Sequence, residues 1–317
     1  MLLATSALAS AALPAMSAPG DATWNPGNAD FNADANWTGT PDKTTPIGIA
    51  TFNASSQQTI TFSKVTTLGG MTLNQDAGAY TFDTNGHIVT FNGAGLSVGS
   101  GASLVLSNGP GGGGIRFINN ASGGTARIKL DNGALDISGL TTAGTGVGSL
   151  EGSGNVFLGS KNLFVGSNNR STAFSGVIQD SGDFGGAGGS LTKEGTGALT
   201  LSGINTYTGA TVVSGGTLVV DGTIEHSSGV TVNAGGTLAG IGTVSATTVN
   251  DGGTLAPGQS EAQRGSIPLG VRGDLTFSAG ATYRVPVFPH KPPVPSWLER
   301  LRSAAPPWRR TSRPAAM

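Results

Sequence analysis

The chain has 317 residues, room for one large domain or two ordinary ones, with 53 Gly, 11% charged and 6% aromatic residues, and no Cys, which excludes a disulfide framework, thiol catalysis and a cysteine-ligated metal. The formal net charge of −1 hides an asymmetry: from Tyr283 onward there are seven Lys or Arg and one acid, Glu299. The rest is mildly acidic and lacks the clustered Lys and Arg of a nucleic-acid footprint, so no nucleic-acid partner is expected.

Met1 to Ala18 is an apolar run rich in Ala and Leu that ends in small residues. That is the hydrophobic and cleavage region of a secretory signal peptide, with cleavage expected after Ser17 or Ala18, although no Lys or Arg precedes the run. It is too short for a membrane span, and no other stretch approaches one. Residues 19–58 carry Trp24, Phe31, Trp37 and Phe52 among Asn, Gly, Pro and Thr. The open end of a stack of strands needs covering, and bulky aromatics suit that task, so an N-terminal cap region is expected. Carbohydrate binding by Trp24 and Trp37 is the sharper alternative to packing.

From Thr59 the pattern turns regular, in short alternating runs such as Thr59–Phe62, Tyr80–Phe82, His87–Phe91 and Ser103–Leu106. Period two marks strands with one buried face, and Gly or Asn punctuates each run. Gly109 to Gly114 reads as a loop. The stretch from Gly189 to Val220 is the most informative. Leu199 and Leu201 alternate with small or polar residues, as do Leu218 and Val220, while Ser202-Gly203, Asn205-Thr206 and Gly215-Gly216 read as turns. Strands this short cannot form a core without copies of themselves above and below.

Residues 191–209 read Leu-Thr-Lys-x-Gly-x-Gly-x-Leu-Thr-Leu-Ser-Gly-x-Asn-Thr-Tyr-Thr-Gly. This resembles the autotransporter-associated β-strand repeat found in passenger regions of bacterial outer-membrane autotransporters, with looser similarity from about Ser149 to Tyr283. Asp34-Ala-Asn-Trp37 and Ala50-Thr-Phe-Asn53 resemble the N-terminal start of the same passenger type. The resemblance implies an all-β, right-handed parallel β-helix exported through the inner membrane to the cell surface or medium. It does not imply an enzyme.

Thr231–Ala239 and Thr248–Ala256 agree at eight of nine positions at a spacing of 17 residues, and Ser214–Leu218 precedes the first copy by 20. Self-similarity near 20 residues signals a solenoid, here over 59–283. Leu218, Leu238 and Leu255 are expected to stack inward, and Asn233 and Asn250 to form an amide ladder. About eleven coils at ~4.8 Å each give a rod on the order of 50 Å.

At residue 284 the character changes. No Gly follows Gly280, and eight of the 16 Pro lie from Pro286 to Pro314. Proline lacks the ladder donor, so 284–317 is expected to be a disordered tail, either a basic interaction arm or a shifted reading frame. A β-barrel translocator, expected in relatives, is not encoded here; that makes the chain a passenger fragment with a periplasmic fate as one outcome, and a nonfunctional product as another.

Chemistry is sparse. His87, His226 and His290 show no metal spacing, and neither a nucleophile elbow nor a phosphate loop is present, so neither cofactor nor metal is expected. A secreted polysaccharide-active enzyme is the alternative on the same fold; it needs acids and a cation on one face. Asp131 and Asp136 near Arg127 and Lys129 form the one local cluster of that kind, and read as a solvated turn. Arg272-Gly273-Asp274 is the tripeptide of cell-adhesion ligands, placed at a turn before Leu275, and is the candidate adhesion site. Surface, host or glycan ligands are the partners to consider.

Overall fold

The computed structural model describes residues 20–39, 44–258 and 269–284; the expected signal peptide 1–18 and the tail from 285 lie outside the described residues. Regular structure among them is strand, apart from one 3-10 turn at Asp34–Asn36. The strands sort into three sheets of nine, eleven and eight strands. Apart from one antiparallel pair near the N-terminus, partners in a sheet run parallel, as the strands carrying Leu199, Leu218, Leu238 and Leu255 do on successive rungs. Parallel strands joined without helices, each rung lying on the one before, make a β-solenoid of about 9 turns. The eleven rungs expected from the repeat are met on the second sheet only. Elsewhere two faces run together into single long strands, Thr66–Leu73, Ile88–Val98 and Thr243–Val249.

Alternation along each strand decides what enters the core. Ala198–Leu201 and Gly236–Gly240 bury every second residue, so the Leu of each rung meets the Leu of the next. Leu218 and Leu238 are fully buried and Leu255 is 2% exposed, in the column their repeat foretold. Nearer the N-terminus the same sheet carries Ile60, Phe82, Leu106, Ile128 and Leu150 in unbroken register. Outside the column, Asn250 Nδ2 donates to Asn233 Oδ1 at 2.9 Å, which is the expected amide ladder.

The abundant glycine has a use that turns alone do not explain. Gly154, Gly176, Gly203, Gly222 and Gly242 stand on successive coils at one corner, and a Cβ on each would collide with the carbonyl oxygen of a glycine one coil earlier. Backbones at this corner lie too close for any side chain, so the corner is written in glycine.

The first coils are closed by aromatics. Trp37, Phe31 and Phe52 are fully buried and Trp24 is 5% exposed. Trp37 meets Trp24 and Phe31 edge-on at 5.0 and 4.8 Å between centroids, and Phe31 stacks on Phe62 at 4.4 Å. Asn36, also fully buried, holds the preceding loop: its Oδ1 accepts from Gly27 N and its Nδ2 donates to Asp30 O. Ala22–Trp24 pairs antiparallel with Trp37–Thr38 and parallel with Ile49–Phe52, so the parallel ladder already includes residues N-terminal to 59. Both tryptophans are core residues, out of reach of a sugar.

Candidate functional site

The signature stretch alternates between two faces of consecutive coils: Ser190–Lys193 on the third sheet, Ala198–Leu201 on the second, Thr211–Val213 back on the third and Gly216–Val220 again on the second. Five of its polar residues, Thr192, Lys193, Asn205, Tyr207 and Thr211, are buried, while Thr196, Ser202, Thr206 and Thr208 face solvent. Lys193 is 1% exposed, and its ammonium donates to the carbonyl oxygens of Glu194, Gly195 and Gly215. Burial holds this amine below the ordinary lysine range, with Glu194 opposing the shift. Asn205, read from sequence as part of a turn, is 1% exposed. Its Oδ1 accepts from Ile178 N at 2.9 Å, and its Nδ2 donates to Gly203 O and Thr223 O, so one amide ties three coils together. Tyr207 shares a 2.6 Å hydrogen bond with Thr211 Oγ1, which bonds Ser227 Oγ, which donates to Gly209 O. Enclosure pushes the Tyr207 phenol far above its usual value. All of these side chains are buried and hydrogen-bonded within the coils, away from any substrate.

Residues 191–220 match the passenger-associated-transport-repeat family. The passenger repeat fits an autotransporter passenger repeat protein, and its Lys193, Asn205 and Tyr207 brace the coils from inside. No curated protein and no solved structure matches the chain.

The charged cluster around residue 130 is divided by the fold. Arg127–Leu130 belongs to the second sheet and Ala134–Asp136 to the first, so Asp131 and Asp136 do not share a face. Lys129 pairs with Asp131, and Arg127 reaches Glu151 on the next rung at 2.5 Å. Asp136 departs from the solvated turn expected: it is 5% exposed, and its carboxylate accepts from Ser138 N, Ser138 Oγ and Asp183 N. It thereby fastens the glycine-rich loop after Asp180 across the first sheet, where Asp183 also pairs with Arg116. A cleft of about 330 Å³ opens there, lined by Ile88, Arg116, Asp136, Phe157 and Asp183 among others. Both of its acids are already engaged, one by three hydrogen bonds and one by the guanidinium.

Among the described residues no three His, Cys, Asp or Glu side chains converge as a metal site, and no helix is long and apolar enough to cross a membrane. His290 lies outside the described residues. Arg272, Gly273 and Asp274 lie within the strand Gly270–Phe277, at a bulge and not at a turn: Arg272 opposes Ser245 while Leu275 opposes Thr247. Gly273 takes φ +111°, a conformation that disfavours a side chain. The three residues are exposed, and Arg272 Nε pairs with Glu225 Oε2 at 2.9 Å.

The signal that sequence reading passed over was the repeat's own polar letters. A Lys, an Asn and a Tyr inside a run of small and apolar residues are hard to place on a solvated face, and each proves to be a buried tie.

Proposed function

We propose that this chain is a non-enzymatic passenger, exported across the inner membrane and held at the cell surface or released outside, with a structural or adhesive task. The observation that carries this reading is the fate of the signature: Lys193, Asn205, Tyr207 and Thr211 are consumed in bonds within and between coils. A repeat whose Lys, Asn and Tyr are buried as internal ties builds a scaffold, and leaves recognition to exposed residues such as Thr196, Ser202, Thr206 and Thr208 and to the other outer faces. The apolar run at Met1–Ala18 supports export. The absence of Cys suits a chain that crosses a membrane unfolded.

The test expresses the full chain in a Gram-negative host, alone and fused ahead of an outer-membrane β-barrel. Removal of residues 1–18 and digestion of the fused chain by protease added to intact cells are the expected results. An uncleaved chain retained in the cytoplasm refutes export. Release of reducing ends from a panel of polysaccharides by the purified chain refutes the non-enzymatic reading and favours the polysaccharide-active alternative.

A further inference from the structure

The last rung leaves an edge unfinished. Strand Gly270–Phe277 is bonded along one side to Thr243–Val249, and among the described residues nothing pairs with its other side. The inward positions of the preceding rung, Val244, Thr247 and Val249, are at most 1% exposed. Their partners in register are Val271, Leu275 and Phe277, and here the column opens: Leu275 is 42% and Phe277 41% exposed. A free edge carrying apolar side chains is a template for another strand. Among the described residues of the opposite end, Trp24, Phe31 and Trp37 are buried, and the exposed apolar residues are Ile47 and Val65, which lie outside the strands. A head-to-tail stack of copies would require this edge to fit a different surface, whereas a two-fold arrangement uses the same edge twice.

We propose that the strand Gly270–Phe277 pairs antiparallel with the same strand of a second copy, with Gly273 on the two-fold axis. The sequence around that glycine is self-complementary. Pairing about Gly273 sets Arg272 opposite Asp274 of the second copy on the outer face, twice by symmetry. On the inner face it sets Val271 opposite Leu275, and Leu269 opposite Phe277. The neighbouring registers that keep the apolar residues inward are centred one residue to either side. They bring Arg272 against Arg272 or Asp274 against Asp274, and like charges directly opposite are unfavourable. One register thus satisfies both the alternation and the charges. Gly273, without a side chain, lets the two backbones meet at the axis. Arg272 is 72% exposed at its side chain, so its guanidinium reaches across the edge while holding Glu225. This goes beyond the passenger reading, which requires no self-association, and it gives the adhesion-like tripeptide a different task.

Sedimentation of the full chain from about 1 to 100 μM tests the pairing, since a self-associating chain shifts with concentration by mass action. The expected result is a reversible species of twice the 31.4 kDa chain mass. Arg272→Asp and Asp274→Arg, both on an exposed edge, should each raise the dimer dissociation constant at least tenfold. An equimolar mixture of the two variants should restore it, because each then meets its opposite charge. Circular dichroism of both variants checks that the solenoid is unchanged. A wild-type chain that stays monomeric overturns the proposal, and protection of amides 271–277 from hydrogen exchange in that monomer assigns the edge to the chain itself. A dimer indifferent to both substitutions, or a mixture that fails to re-form it, also overturns it. So does loss of cell adhesion in Asp274→Arg with self-association unchanged, which assigns the tripeptide to an outside ligand.

Discussion

Leu238→Ala is the most direct probe of how this chain holds together. Leu238 is fully buried, with Leu218 in register on one side and Leu255 on the other. The substitution removes three carbons from the middle of a column. Collapse around the gap is opposed because the rungs above and below are held by their own ladders, at a spacing of about 4.8 Å that side-chain loss does not alter. Leu→Ala in a core costs about 3–5 kcal/mol where the site relaxes poorly, and this site belongs to that class. The measurement is urea unfolding followed by circular dichroism, with Ile204→Ala as control, since Ile204 is 66% exposed. The control should shift stability by less than about 0.5 kcal/mol. A Leu238→Ala loss below about 1 kcal/mol, or one equal to the control, refutes the stacked column as the source of stability.

Three further substitutions test the corner and the signature. Gly203→Ala places a Cβ against the carbonyl oxygen of Gly176 and should cost about 1–3 kcal/mol in the same assay, whereas a neutral result denies the close approach of coils. Asn205→Ala strips the Ile178 N–H of its partner in the core, while Thr223 C=O keeps the backbone N–H of residue 205, for a loss of about 1–3 kcal/mol, with faster hydrogen exchange at Ile178 as the local readout. Lys193→Met is read through pH. The folded chain holds Lys193 below its unfolded value of about 10.4, so between the two values the unfolded chain binds more protons, and stability rises with pH across that window. The wild type should therefore gain on Lys193→Met as pH climbs toward 10.4, and parallel curves contradict a buried charged amine.

Much of this fold was legible before any coordinates, because a solenoid writes its period into the chain. Eight matching positions between Thr231–Ala239 and Thr248–Ala256 were enough to place Leu238 over Leu255 and Asn250 over Asn233, and both contacts are present. Local alternation decides which face of a strand is apolar, and a repeat spacing decides what lies above it; neither requires knowledge of distant residues. Polar residues were a different matter. Asn205 reads locally as a turn, and a turn asparagine is usually wet. It is dry because coils on both sides bring Ile178 and Thr223 to its amide. Asp136 likewise reads as a solvated acid until the loop carrying Asp183 arrives over it from 47 residues away. The tripeptide at Arg272 reads as a turn, and becomes a bulged edge strand because Thr243–Val249 is there to pair with it. By itself, then, the amino-acid order determined the strands, their repeat and the column they share, since these follow from period and polarity within about 20 residues. Which polar groups serve as ties, which glycines stand where no side chain fits, and which edge stays open were decided only when the coils lay on one another, because each depends on what the next rung brings within bonding distance.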